Sequence, residues 1–160
     1  MSIGTAKQFC QAILALALVA SFSVVASAND RDGIVRVKSA YPLNETISRI
    51  KKNIADKGIW LFSEIDQAKL AADAGVRLRP STLLVFGNPP LGTQFITSNP
   101  NAGLDWPVRL LITQDADGSV WTVYTDFGWI AKRHGIGDRE AQFKMAQEVI
   151  GSITLSVAKK

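Results

Sequence analysis

The chain has 160 residues, a formal net charge of +4, one cysteine and one histidine. Its basic residues are scattered along the sequence, whereas a nucleic-acid-binding protein usually gathers them on one face or in one run. The charge pattern therefore argues against a nucleic-acid partner. One histidine and one cysteine are also too few ligands for the common zinc sites, so no metal site is predicted.

The first 28 residues are typical of a cleavable export signal. Lys7 carries the positive charge, residues 12–25 are almost all apolar, and Ala26-Ser27-Ala28 is an A-x-A cleavage site. The apolar run is about 14 residues long, which is shorter than the roughly 20 that a bilayer-spanning helix needs. We therefore expect cleavage after Ala28, a periplasmic or secreted protein, and no stable membrane anchor after cleavage.

Cys10 lies inside the predicted signal and precedes the apolar run, whereas a lipid-modified cysteine would follow it. A lipoprotein anchor is therefore not expected, and residues 29–160 contain no thiol and no disulfide. This segment has the usual size of one domain, and we predict a single domain over 29–160.

Strand and helix patterns follow each other in the first part of this domain. Ile34–Lys38 is β-branched and partly alternating, which predicts a strand. Isoleucines at helical spacing then predict a helix from Leu43 to Gly58, capped by Asn44 or Thr46.

The next segments predict two strands joined by a short helix. Ile59–Ile65 has apolar residues on both faces, so both faces of this strand should be at least partly covered. Asp66 can cap a helix over 67–74, and 82–86 is a continuous apolar run typical of a central strand.

The last part of the chain predicts a helix, a hairpin and two further helices. Residues 91–98 suit a short helix, and 108–113 and 120–125 suit a hairpin with Gly118 in its turn. A short helix over 127–133 should precede a long final helix that is capped by Asp138. Together these patterns predict an α+β domain with two layers, in which a mixed or antiparallel sheet of about five strands packs with helices.

Several short motifs occur in a fixed order along the chain. They are Leu78-Arg79-Pro80, Phe86-Gly87-Asn88-Pro89, Gly92-Thr93, Gly103-Leu104-Asp105-Trp106-Pro107, the hairpin segment 115–121 and Arg133-His134-Gly135. In this order and spacing, the set resembles the domain of unknown function 302 family over about residues 47–136. The resemblance implies a compact α+β fold that is often exported, and it names no reaction.

The resemblance has one departure, at the start of the second predicted helix. Family members commonly carry Asp-His there, whereas this chain has Asp66-Gln67. If the histidine acts as a base or a ligand in relatives, that role does not carry over to this chain.

Four motif residues are candidates for ligand binding if their loops converge. They are the guanidinium of Arg79, the side-chain amide of Asn88, the carboxylate of Asp105 and the ring of Trp106. Arginine suits an anionic ligand because its planar fork donates several hydrogen bonds, and an exposed tryptophan ring often marks a binding surface. Turn formation explains Asn88 equally well, and pairing with a carboxylate explains Arg79.

The candidate acid/base residues are His134 and Asp66. A histidine at the end of a short helix is also favoured by the exposed helix carbonyls, and Asp66 already has a capping role. No nucleotide-binding glycine loop, Walker sequence or nucleophile elbow is present in the sequence, and no cofactor is assigned.

These patterns favour a non-catalytic exported domain that binds a small molecule or an envelope partner. Two alternatives stay open at this point. One is a carboxylate-dependent hydrolase that uses His134. The other is a structural homo-oligomer, such as a homodimer assembled through a sheet edge or an aromatic patch.

Overall fold

The structure, a computed structural model, describes residues 27–29 and 32–159. Within them lie the strands β1 (Ser27–Asn29), β2 (Ile34–Lys38), β3 (Trp60–Asp66), β4 (Ser81–Gly87), β5 (Val108–Gln114) and β6 (Val120–Thr125). The helices are α1 (Leu43–Asp56), α2 (Gln67–Asp73), α3 (Pro89–Ser98), α4 (Phe127–Arg133) and α5 (Glu140–Leu155), with a 3₁₀ helix at Pro100–Leu104. The predicted α+β class is confirmed.

All described strands belong to one antiparallel sheet with the order β1-β2-β6-β5-β4-β3. β1 lies where the predicted export signal ends, and it pairs with residues 34–36 of β2. Cleavage after Ala28 would leave only Asn29 of this strand. The rest of the predicted signal, residues 1–26, lies outside the described residues, so export stays a prediction.

One face of the sheet carries the hydrophobic core. Leu84 and Phe86 of β4 lie beside Leu110 and Ile112 of β5, and all four are almost fully buried. The core-facing residues of α1 and α5 are also buried; they include Ile50, Ile54, Ile150 and Ile153. The alternate residues of the strands, such as Leu83 and Arg36, are half-buried or exposed on the other face. Sheet and helices therefore form the two predicted layers.

The prediction that β3 is partly covered on both faces is wrong. β3 has β4 on one side only in the described sheet, and Trp60, Leu61 and Phe62 are exposed. A β-bulge shifts the register between Leu61 and Ser63. Apolar periodicity predicts a strand correctly but does not say whether the strand lies at an edge, because that depends on which strands pair with it.

Two predicted helix caps are also wrong. Neither Asn44 nor Thr46 caps α1, and Thr46 is instead buried, with its hydroxyl 2.7 Å from that of Ser39. Asp138 does not cap α5; it accepts a hydrogen bond from Ser98, which lowers the pKa of this carboxyl. Both side chains found tertiary partners, which local cap preferences do not foresee.

A glycine is required at position 92 in α3 because the Trp106 indole lies directly against it. A Cβ atom at this position would lie 1.7 Å from Nε1 of Trp106. Gly151 in α5 offers a matched contrast, since a Cβ atom there meets nothing within 4 Å.

We predict opposite effects of alanine at these two helical glycines. Gly92→Ala should lower the free energy of unfolding by about 2–3 kcal/mol, because the indole must leave its place. Gly151→Ala should raise it by about 0.5–1 kcal/mol, because alanine restricts the unfolded chain and favours a helix. Urea unfolding of both variants measures the two changes. If Gly92→Ala is as stable as the parent protein, the close contact between the Trp106 ring and Gly92 is contradicted.

Candidate functional site

A buried carboxylate, that of Asp105, lies at the end of the sheet where β5 begins. Its side chain is 4% exposed, and it accepts hydrogen bonds from Nη2 of Arg109 at 3.0 Å and from Nη1 of Arg133 at 3.0 Å. Nε2 of His134 lies 2.6 Å from Oδ2 of the same carboxylate. A buried carboxylate needs such donors because an unpaired buried charge is strongly unfavourable.

The partners of Asp105 come from separate elements. Asp105 follows the 3₁₀ helix, Arg109 is the second residue of β5, and Arg133 and His134 end α4. The backbone carbonyl of His134 also accepts a hydrogen bond from the side-chain amide of Asn99 at 2.7 Å. The cluster therefore ties the carboxyl end of α4 to the 3₁₀ helix and to the start of β5.

The geometry of the Asp105 cluster suits bracing of the fold. A carboxylate that accepts from one histidine nitrogen can orient the ring for acid/base work, but the ring must then reach a substrate. The His134 side chain is only 5% exposed, and Arg109 and Arg133 already bind the oxygens of Asp105. Both guanidinium groups pair with the single carboxylate, which favours a structural ion-pair network.

Asn88 and Trp106 lie at the same end of the sheet as Asp105. Asn88 follows β4 and caps α3, where its side-chain oxygen accepts from the amide of Leu91 at 3.2 Å. The Trp106 ring lies against Gly87 and Gly92 and helps to line a cavity of about 40 Å³. This volume is far below the several hundred Å³ of a typical ligand pocket.

Arg79 lies at the opposite end of the sheet. It precedes β4 and is exposed, whereas Asn88 follows β4, and a strand of this length separates the two by roughly 20 Å. The structure thus brings Asn88, Asp105 and Trp106 together and places Arg79 apart from them. Whether any of these residues binds a ligand stays a prediction.

Asp66 also lies at the Arg79 end of the sheet. As predicted, it caps α2, and its carboxylate accepts from the amide of Lys69 at 2.9 Å. Gln67, where relatives commonly carry histidine, accepts a hydrogen bond from the hydroxyl of Ser81 at 2.7 Å. Asp66 and His134, the two candidate acid/base residues, are therefore not neighbours: one lies where β3 ends, the other beside the start of β5.

Sequence reasoning missed two partners of Asp105, Arg109 and Arg133. Arg109 lies four residues after Asp105, but this spacing predicts a contact only within a helix, and Arg109 lies in a strand. Arg133 is distant from Asp105 in the chain. The Arg-His-Gly motif at 133–135 was the available clue, because two hydrogen-bond-donating side chains end a helix together.

The family model described as Domain of unknown function DUF302 matches residues 35–153 of the chain. The chain belongs to this family. The crystal structure of an uncharacterized conserved DUF302 protein from Bacillus stearothermophilus is similar in fold, with a TM-score of 0.72 and 14% identity. The match covers 78% of this chain and 98% of that chain, so the whole of the solved DUF302 fold is present here.

Curated relatives of this DUF302 protein are longer proteins from Brucella. Fluoride-specific ion channel FluC 1 of Brucella suis biovar 1 is 37% identical over 105 residues, which are 66% of this chain and 41% of that protein. Fluoride-specific ion channel FluC 2 of Brucella melitensis biotype 1 is also 37% identical over 105 residues, and the match covers 39% of its length. The chain thus spans less than half of these relatives.

In the part of the chain that the structure describes, no helix is both long enough and apolar enough to cross a bilayer. Histidine and acidic side chains form no group of three or more there that could hold a metal ion.

We predict that Asp105→Asn destabilises the protein strongly. The substitution leaves two arginines and a histidine around a neutral amide, which should lower the free energy of unfolding by about 2–4 kcal/mol. Asp115→Asn is the matched control because Asp115 pairs with Arg36 on the surface, where an ion pair is worth less than about 1 kcal/mol. Urea unfolding at neutral pH compares the two. Equal changes would show that the Asp105 cluster does not brace the fold.

Proposed function

We propose that this DUF302 protein is an exported, non-catalytic binding domain whose partner docks on an aromatic edge, defined as Trp60, Phe62 and Trp106. The observation that carries the proposal is the exposure of Trp60 and Phe62, which lie beside the half-buried ring of Trp106. Trp60 is 63% exposed and Phe62 is 44% exposed, although both are large apolar side chains. Exposed aromatic surface of this kind marks interaction sites, and tryptophan is enriched among residues that dominate binding energies.

The aromatic edge is ordered by its own contacts. The rings of Trp60 and Phe62 meet edge to face at 6.4 Å, and Phe62 meets Trp106 edge to face at 6.3 Å. Trp106 is in turn held by Gly87 and Gly92. Because the rings are already positioned, little side-chain conformational entropy would be lost when a partner binds.

The aromatic edge favours contact through side chains over strand addition. β3 is an edge strand, and an edge strand can pair with a strand of another molecule. The bulge between Leu61 and Ser63 interrupts the regular ladder where the rings project. A partner that covers the rings fits this edge better than a long added strand does.

At the Trp106 end of the sheet, two features support a docked partner over a deeply bound small molecule. The cavity beside Trp106 is too small for an organic ligand without movement of its walls. The Asp105–His134 pair is enclosed by Arg109 and Arg133, which also speaks against the hydrolase alternative.

The relatives support a partner in the cell envelope. In Brucella, a segment similar to this chain forms about two-fifths of proteins named fluoride-specific ion channels. We therefore extend the proposal to a membrane protein of the envelope as the partner, which agrees with the predicted export signal. A separate chain and a fused segment can serve the same association, because fusion only raises the effective concentration of the two parts.

A photo-crosslinker tests the docking proposal. A benzophenone-bearing residue replaces Trp60 in one variant and Met145 in another; Met145 is an exposed apolar residue of α5. We expect irradiation of living host cells to produce an adduct with an envelope protein from position 60 and none from position 145. Equal adducts from both positions, or none from position 60, would refute the aromatic edge. An adduct with the mass of two copies would favour the homo-oligomer alternative.

N-terminal sequencing tests the export proposal separately. We expect the protein recovered outside the cytoplasm to begin at Asn29, and Ala28→Trp to block this cleavage because the site requires small residues. A full-length cytoplasmic protein would disprove export and leave the crosslinking result to decide on docking.

A further inference from the structure

A second exposed surface lies in the connection between β3 and β4, residues 67–80. The helix in this connection, α2, has no buried residue. Leu70, Val76 and Leu78 are 58%, 59% and 51% exposed. We call residues 67–80 the protruding connection.

The protruding connection is positively charged in the part that leads into β4. Arg77 and Arg79 are exposed, and within the described residues neither has a carboxylate at salt-bridge distance. Lys69 and Asp73 pair with each other at 2.8 Å, so their charges cancel locally. The two arginines therefore stand between exposed apolar side chains without a charge partner.

The protruding connection is held in place at both ends. At its start, the side-chain oxygen of Gln67 accepts a hydrogen bond from the hydroxyl of Ser81 in β4 at 2.7 Å. At the other end, the carbonyl of Pro80 accepts from the amide of Gln114 in β5 at 3.1 Å. The exposed apolar residues thus belong to an anchored segment.

We propose that the protruding connection is a peripheral docking surface for a bilayer that contains anionic lipids. Apolar side chains enter the boundary between headgroups and acyl chains, and arginines contact anionic headgroups while their stems lie along the apolar layer. Such contact is reversible and needs no spanning helix. The inference goes beyond the aromatic edge, since Trp60 and this connection lie at opposite ends of β3, and it holds whether or not that edge binds a protein.

A second copy of the chain fits the same surface poorly. A two-fold interface brings the same patch of each copy together, so Arg77 and Arg79 would face or neighbour their own equivalents. Like charges in contact are unfavourable, and the connection holds no unpaired acid to offset them. An anionic bilayer matches the charge and the apolar side chains at once.

Vesicle binding of the full chain tests the proposal. Phosphatidylcholine vesicles with phosphatidylglycerol should bind the protein, and hydrogen exchange of the amides at 74–80 should slow on binding. Arg77→Gln with Arg79→Gln should weaken binding about tenfold or more, because each basic residue contributes near an anionic surface. Lys132→Gln with Lys144→Gln is the matched control, since it removes the same charge from exposed positions of α4 and α5 and should leave binding nearly unchanged.

The apolar contribution needs its own pair of variants. Val76→Ser with Leu78→Ser should weaken vesicle binding severalfold, whereas Met145→Ser with Leu155→Ser should not, although the two pairs are similarly exposed. Soluble glycerol phosphate should not slow exchange at 74–80.

Several results would overturn the bilayer proposal. One is equal binding of the protein to vesicles with and without phosphatidylglycerol. Another is unchanged hydrogen exchange of the amides at 74–80 when vesicles are added. A third is slowed hydrogen exchange there with an acidic polypeptide such as polyglutamate but not with vesicles. The exchange measurement uses the unmodified protein, so it decides the question even if a variant fails to fold.

Discussion

The buried carboxylate of Asp105 is the constraint on which one end of this molecule depends. A carboxylate removed from water must be matched by donors, and here they come from β5, from α4 and from the residue that follows α4. The requirement brings elements that are distant in the chain to one point. It also sets the position of the neighbouring residue, Trp106, whose ring lies against Gly92 of α3. The packing between sheet and helices at this end therefore follows from the need of the buried Asp105 carboxylate for hydrogen-bond donors.

The two proposed surfaces both belong to β3 and its surroundings, because β3 is the least covered strand. The core face of the inner strands is closed by α1 and α5, so little of it is left for binding. At one end of β3 the aromatic edge rests on Trp106 and through it on the Asp105 cluster. At the other end the protruding connection is fixed by the cap at Asp66 and by β5. A rigid centre with two exposed ends suits a domain that links two partners, such as a membrane protein and the surrounding lipid.

Periodicity predicted most of the elements because it reports which side of a segment is buried. The helix stripe from Ile47 to Ile54 and the hairpin around Gly118 are local patterns, and both were confirmed. The separation of Arg79 from Asn88 was missed although the sequence implied it. The two residues flank the strand predicted over 82–86, and the observed strand, β4, holds them apart by its full length. The motif order identified the DUF302 family without showing which motifs meet in space.

The sequence by itself determined the α+β class, the order of the elements, the family and the expectation of an exported, cysteine-free domain. These features follow from local patterns, namely the spacing of apolar residues, turn residues and the N-terminal signal. Only the tertiary structure decided that β3 is an edge and that Asp105 meets Arg133 and His134. Each of these depends on contacts between segments far apart in the chain. Such contacts are selected by the burial of a whole core and by charge pairing within it, and no short stretch of sequence contains that information.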